Sequence, residues 1–309
     1  MNTSTLLSKV LEHYDSYEKI LEYQTRNFIE HIERHGTHCN WWFNDVKVAK
    51  LADLHELDIR SGSHIIDQQL QNPPYGIWSK GPIVFQSSAS SNEYRKVFPR
   101  SLFDYNQYLI GVARSLENHN VNTTDAIIST DTGGMFSGHV GIEDAAVQVF
   151  GATRVRCSSP MLTEKIKTME QFEVTVISGS PTKLERMAKL NPAKLLSKPI
   201  KMVISTGAPG INNNFVAEAF GVDRVTDMYG LAEMGNVAWT CKHGHFHVNI
   251  DLCYIEQGQY FSNISNLPIF RYESGEKLEF SYKGTCACGS NLPTIDKFIA
   301  SNIDRRNKN

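Results

Sequence analysis

The chain has little that would tie it to an oxidising compartment, a nucleic acid or a membrane. Six cysteines in 309 residues do not make a disulfide framework. Four of them fall in the C-terminal part, one beside a run of histidines, which points to a reducing compartment and raises the question of a metal. The formal net charge of -2 gives no footing for nucleic acid or an anionic membrane surface. No apolar run approaches the roughly 20 residues of a membrane span. The N-terminus lacks the basic region, apolar core and small-residue cleavage site of a signal peptide, so a cytoplasmic location is expected. Internal repeats and low-complexity segments are also missing. What is there is ordinary for a soluble globular protein: 41% hydrophobic and 21% charged residues, with length for one large domain or two smaller ones.

Residues 4 to 34 read as helix, with Leu6, Leu7, Val10, Leu11, Tyr14 and Tyr17 at helical spacing. Trp41, Trp42 and Phe43 read as core. Residues 44 to 71 are helical pieces, and 72 to 76 a turn. Ile83-Val84-Phe85 is a short strand running into the hydroxyl-rich stretch Ser87 to Lys96. Such a loop can wrap phosphate oxygens with backbone N–H groups and hydroxyls, although the Gly-Lys-Ser/Thr ending of a Walker loop is missing. Taken alone, it reads rather as a serine-rich surface linker. From there helices and strands alternate: helix 104–116, strand 126–129, helix 141–150, strand 153–156, helix 161–171, strand 174–177, helix 182–190, strand 201–205, a helix after Gly210, and a strand into Tyr229. The fold class is therefore α/β, mainly parallel sheet with flanking helices, with ligands expected outside the carboxyl ends of the strands. After Glu233 short strands predominate, at 237–239, 246–250, 254–256, 269–272 and 278–282. The domains expected are a helical region at 1–80, an α/β core at 81–235, a β-rich subdomain at 236–304, and a frayed tail at 305–309.

Two stretches carry chemistry. Val225 to Glu233 puts an aromatic, Tyr229, at a strand end, then Gly230 for a sharp turn, then the carboxylate of Glu233. Such an end can offer a ring to a nucleobase and an acid to magnesium, though an ordinary strand and turn looks the same. Cys241, His243, His245 and His247 precede Cys286 and Cys288 by about forty residues. Three thiols and a choice of three imidazoles could make a Cys3His zinc site, with His247 carried forward as the fourth ligand. The one-residue spacing of Cys286 and Cys288 is not that of a standard knuckle. Four protein ligands would leave no open position for catalysis, so such a zinc would be structural.

With these pieces in place, the sequence from about residue 40 to about 304 resembles the adenylate-forming superfamily of acyl-CoA ligases and adenylation domains. Within it, the sequence is most similar to phenylacetate–CoA ligases and bacterial acyl-protein synthetases. Ser87 to Lys96 sits where the family has its phosphate loop. Phe136-Ser137-Gly138-His139 lies where a segment borders the acyl pocket, and Val149-Phe150-Gly151-Ala152 at the following helix end. Ile177 to Pro181 matches a strand-to-helix turn, and Ser205-Thr206-Gly207-Ala208-Pro209 the loop along adenine. Tyr229-Gly230-Leu231-Ala232-Glu233 is similar to Tyr-Gly-x-Thr-Glu, and 267–276 to the Pro-x-x-Arg-Tyr-x-x-Gly-Asp segment. The resemblance implies ATP and Mg²⁺ as cofactors and assigns roles. Gly207, Ala208, Pro209, Asp227, Met228, Tyr229 and Gly230 serve adenine, and Glu276 serves ribose. Ser87, Ser88, Ser90, Arg95 and Lys96 hold phosphate, Glu233 serves magnesium, and His139 borders the acyl pocket. Lys96, Glu233 and His139 form the catalytic set. The cysteine pattern also matches the phenylacetate-ligase branch, where some members hold zinc.

Departures accompany the match. The phosphate loop lacks glycines and carries Ala89 and Asn92, Glu276 replaces an aspartate, and Ser301-Asn302 stands at the Gly-Arg hinge. The resemblance further implies a C-terminal lid bringing a catalytic lysine, and no length is left for one. The activity implied is conversion of a carboxylic acid to an acyl-adenylate, passed to a carrier protein, CoA or a small thiol or amine, within a biosynthetic pathway. Lys96, Arg95 or a separate protein would then replace the lid lysine. The partners expected are a small acid and a carrier protein or acyltransferase, with a homodimer left open. A degenerate core binding nucleotide or acyl groups within a complex is the alternative. A zinc-stabilised interaction module is a third.

Overall fold

The computed structural model describes residues 16–35, 40–43, 46–87, 95–131, 137–207, 213–263 and 268–299, together with Ser8. Most of the segment 4–15, the tail, and Ser88, Ser90, Ala208, Pro209 and 301–302 lie outside the described residues. The N-terminal part holds α1 (Tyr17–His35), α2 (Asn40–Phe43), β1 (Arg60–Ser61), α3 (Gly62–Gln71), β2 (Ile83–Gln86), β3 (Val97–Arg100) and α4 (Leu102–Asn118). An alternation follows: β4 (Ala126–Ser129), α5 (Ser137–Phe150), β5 (Thr153–Val155), α6 (Leu162–Gln171), β6 (Val176–Gly179), α7 (Pro181–Ala188), β7 (Met202–Thr206), α8 (Asn213–Phe220) and β8 (Thr226–Leu231). The strands β9 (Gly235–Thr240), β10 (Phe246–Val248), β11 (Cys253–Glu256), β12 (Tyr260–Asn263), β13 (Tyr272–Glu273), β14 (Lys277–Ser281) and β15 (Thr294–Ile299) complete the described chain. No described helix is long and apolar enough to cross a membrane.

The chain divides into two compact units. The first takes residues 1–12, 108–230 and 238–247, and the second takes 13–107, 231–237 and 248–309. In the first, five parallel strands run in the order β8-β7-β6-β4-β5, with β9 and β10 continuing beyond β8. β4 (AIIS) and β6 (VISG) are buried at every position, as strands covered on both faces must be. Ile128, Ile177, Val203, Leu184, Met187, Val216 and Phe220 belong to the core that α6, α7 and α8 share with these strands. Each helix obeys local rules. Pro181 occupies the first turn of α7, where its missing N–H costs nothing. Tyr108, Leu109, Val112, Ala113 and Leu116 form the buried stripe of α4 at helical spacing.

The order of these strands matters for function. The chain goes from β4 outward to β5, then returns past β4 to β6 and proceeds through β7 to β8. The direction of winding therefore reverses between β4 and β6. In open α/β sheets the crevice at the carboxyl ends of such a strand pair is where ligands bind.

The second unit holds a four-stranded sheet in the order β1-β13-β12-β11, a β2–β3 hairpin and a β14–β15 hairpin. Its core is aromatic, as Trp41-Trp42-Phe43 suggested. Trp42 and Phe43 pack edge-on against Phe270, with His31 on the same ring. α4 opens in this unit with a reciprocal cap. Ser101 N–H and Oγ donate to Asp104 Oδ2 at 3.0 and 2.8 Å, and Asp104 N–H donates back to Ser101 Oγ.

Two readings of the sequence need correction. The strand expected at 269–272 is irregular up to Arg271, and β13 begins only at Tyr272. Arg271 has a φ of 44°, because its guanidinium clamps Glu256 through two hydrogen bonds of 3.0 and 2.9 Å and also reaches the carbonyls of Leu57 and His55. The second concerns residues 97–100, to which the sequence reading assigned no element: they form β3, paired antiparallel with β2 and hidden in sequence by Pro99.

Candidate active site

In the second unit Lys96 and Glu233, 137 residues apart, meet. Glu233 is 3% exposed, and the Lys96 ammonium donates to its Oε1. Tyr272 completes the group: its hydroxyl donates to the same oxygen at 2.7 Å and accepts from Lys96 Nζ at 2.8 Å. Burial pushes the Glu233 carboxyl up. The Lys96 charge and the hydrogen bonds from Lys96 and Tyr272 outweigh it, so the acid is held below the ordinary carboxylate range. The main chain of the glutamate is pinned as well. Arg100, 2% exposed, donates through Nη2 to the carbonyls of Ala232 and Glu233 at 2.5 and 3.3 Å, and Asn263 Nδ2 reaches Glu233 O at 3.3 Å. Local geometry sets Lys96 in place. Ser87 N–H donates to Lys96 O, and Lys96 N–H donates to Ser87 Oγ, which ties together the two ends of the expected phosphate loop. Arg95 is exposed. Glu276, the expected ribose acid, is 7% exposed, and its own N–H donates to Ser274 Oγ.

In the first unit a second polar cluster sits at the crevice between β4 and β6. Asp131 follows β4, Ser180 and Lys183 follow β6, and His139 stands in the first turn of α5. Asp131 accepts from Ser180 N–H at 2.8 Å and Lys183 Nζ at 2.5 Å, with His139 Nε2 at 3.2 Å. Burial raises the Asp131 carboxyl, but His139, Lys183 and the Ser180 N–H prevail and hold it below its usual range. Burial lowers the His139 imidazole below its usual range, against the pull of Asp131. Its Nδ1 is buried without a hydrogen-bond partner among the described residues. Gly179 is required beside this cluster, since a Cβ there would run into the Thr130 hydroxyl.

The residues expected at adenine lie in the same unit, at the ends of β7 and β8. Gly207 has a φ of 126°, open to glycine and strained for other residues. Asp227 accepts from Asn213 Nδ2 at 2.9 Å, and burial raises its carboxyl against the Asn213 and Ser205 hydrogen bonds. Met228 and Tyr229 are 4% and 8% exposed, while Gly230 is open to solvent.

The cysteines lie in two turns of the same construction. Cys241 N–H donates to His245 O and its carbonyl accepts from Gly244 N–H. Cys286 N–H donates to Ser290 O and its carbonyl accepts from Gly289 N–H. Both glycines have positive φ, 84° and 90°. In the first unit, the Cys241 thiol and a His247 ring nitrogen lie within 4.8 Å of each other, both side chains buried. In the second, the Cys286 and Cys288 thiols are equally close, and Cys288 N–H points at Cys286 Sγ at 3.5 Å. Each turn presents two donors of the kind zinc takes, and an amide aimed at sulfur suits a thiolate. Cys157 and Cys253 lie elsewhere.

Sequence reasoning missed Arg100, Asn263, Asp131 and Lys183, and gave Tyr272 no role. Only Asp131 left a signal, as the first residue of a glycine-rich loop after a strand.

No family model matches the chain, and no curated protein does. Solved structures do. An open conformation of 2-hydroxyisobutyryl-CoA ligase, in complex with 2-HIB-AMP and CoA, superposes with a TM-score of 0.74 at 15% identity, over 92% of this chain and 75% of that one. The same ligase in its postadenylation state with R3-HIB-AMP gives 0.75 at 15%, over 92% and 68%.

Proposed function

We propose that this chain, which has the fold of adenylate-forming acyl-CoA ligases, activates a small carboxylic acid with ATP and passes the acyl group to a thiol or amine. The observation that carries the reading is the buried Lys96–Glu233–Tyr272 group, a paired cation and acid supplied by two segments that resemble the family's phosphate and magnesium motifs. In the reaction a carboxylate oxygen attacks the α-phosphorus of ATP, the bond to the β-phosphate oxygen breaks, and pyrophosphate leaves. Bound at Glu233, magnesium would neutralise phosphate charge; a buried carboxylate that already holds a cation is a suitable hard-oxygen ligand for it. The chain's own residues do the positioning. Lys96 and Arg95 hold phosphate oxygens, with Ser87 at the loop's edge. Tyr229, Gly207, Asp227, Met228 and Gly230 border adenine, and Glu276 takes the ribose hydroxyls. His139, with Asp131 and Lys183 behind it, borders the acid. The resemblance also gives Ser88, Ser90, Ala208 and Pro209 to this site.

A structural zinc belongs to the same reading. Cys241, His247, Cys286 and Cys288 would hold it, as a structural ion that takes no part in the chemistry. The acceptor of the acyl group is a carrier protein, CoA or a small amine, and the surroundings are cytoplasmic. Calorimetry of ATP with magnesium on the wild type and on Tyr229→Ala, followed by acid-dependent pyrophosphate exchange, tests the proposal. Exchange with at least one acid, and ATP binding weakened in the variant, is the expected result. Binding without exchange for any acid would instead indicate a nucleotide-binding core. Absence of both would overturn the assignment.

A further inference from the structure

Glu233 is a carboxylate with almost no access to water, and such a group needs a cation beside it at all times. An unpaired buried charge costs several kcal/mol. In the structure the Lys96 ammonium is that cation, on the same Oε1 that Tyr272 occupies. The place is built to admit it. A Cβ on Gly62, the first residue of α3, would lie 3.0 Å from Lys96 Nζ, so glycine there leaves room for the ammonium. The positive end of a helix does not itself reward a cation, so Glu233, with the Tyr272 ring centroid 5.4 Å away, is what holds the lysine there. Arg100 and Asn263 hold the main chain of the glutamate in place, and its side chain is almost fully buried. The lysine, a flexible side chain 14% exposed, is the partner able to move.

We propose that Lys96 is an internal stand-in for the divalent cation at Glu233. Metal and lysine exchange at one carboxylate oxygen, and arrival of the metal hands the Lys96 ammonium to the phosphates. The inference rests on the functional reading above and adds an order to it: the phosphate-binding lysine is masked until the metal comes. It also explains how a buried acid can wait for a metal without unfolding the segment around it.

The test uses metal and polyphosphate alone, so it does not depend on turnover. Binding of Mn²⁺ without nucleotide is measured by electron paramagnetic resonance on the wild type, Lys96→Met and Lys96→Arg. Lys96→Met should bind free Mn²⁺ about tenfold tighter or more, because its competitor is gone, and Lys96→Arg should not gain. In the opposite direction, Glu233→Gln frees the lysine, and the variant should bind metal-free tripolyphosphate several-fold tighter than the wild type. Should Lys96→Met fold poorly, Glu233→Gln decides by itself. Equal or weaker Mn²⁺ binding in a folded Lys96→Met, or no gain for tripolyphosphate in Glu233→Gln, overturns the exchange. If these gains occur in a protein that shows no acid-dependent exchange, the adenylating reading falls and the cation exchange stands. Exchange activity without the gains gives the reverse.

Discussion

Arg100 was silent in the sequence and is central in the structure, so its removal is an informative perturbation. Arg100→Met keeps most of the buried stem and removes the guanidinium. Two hydrogen bonds to carbonyls are lost, at 2.5 Å to Ala232 and 3.3 Å to Glu233. The Glu233 carbonyl keeps the Asn263 amide at 3.3 Å, so its loss is partial. The Ala232 carbonyl loses its charged donor outright. A hydrogen bond from a charged group is worth about 1.5–3 kcal/mol, and the weaker second contact less, which gives a destabilisation of about 2–4 kcal/mol. For units of this size that lowers the unfolding midpoint by about 2–4 °C per kcal/mol. Urea denaturation should show the midpoint fall with an unchanged slope. Magnesium-dependent ATP binding should fall too, because the Glu233 main chain is no longer pinned. Arg100→Lys should recover part of the stability and less of the binding, since lysine lacks the planar fork. A stability change within about 0.5 kcal/mol for Arg100→Met, the range of an ordinary surface substitution, would refute the reasoning.

Three further outcomes are expected. Burial holds both His119 and His139 below the usual histidine pKa, so the unfolded chain binds more protons than the folded one just below that value. Stability is therefore complete above about pH 6.5 and falls as the pH drops toward the folded pKa values, by up to about 1.4 kcal/mol per pH unit for each histidine. Thermal unfolding between pH 7.5 and 5.5 checks this, and His119→Gln with His139→Gln should flatten the profile. Purified protein should carry stoichiometric zinc by elemental analysis, and Cys286→Ser should lose it while the far-ultraviolet circular dichroism persists at low temperature. Zinc-free wild-type protein would end that assignment. Gly141→Ala would drive a methyl group into the Tyr108 ring and should cost about 1–3 kcal/mol by denaturant titration.

The sequence by itself determined the elements from 104 to 231, because their apolar runs and helical stripes are local properties that tertiary packing only had to accept. Pro181 could also be read there, as the end of a strand-to-helix turn whose requirement lies within a few residues. Tyr229, Glu233 and Lys96 were legible through motifs with fixed spacing. What only the tertiary structure decided is pairing over long separations. Lys96 meets Glu233 and Tyr272, Arg100 meets Ala232, and Asp131 meets Lys183, because the strand order brings these ends together. A charged side chain carries no mark in sequence of the partner it will neutralise; only burial makes the pairing obligatory. The same holds for β3 and for Arg271. A proline and a left-handed backbone hid them locally, and hairpin pairing and a buried clamp on Glu256 fixed them in the fold.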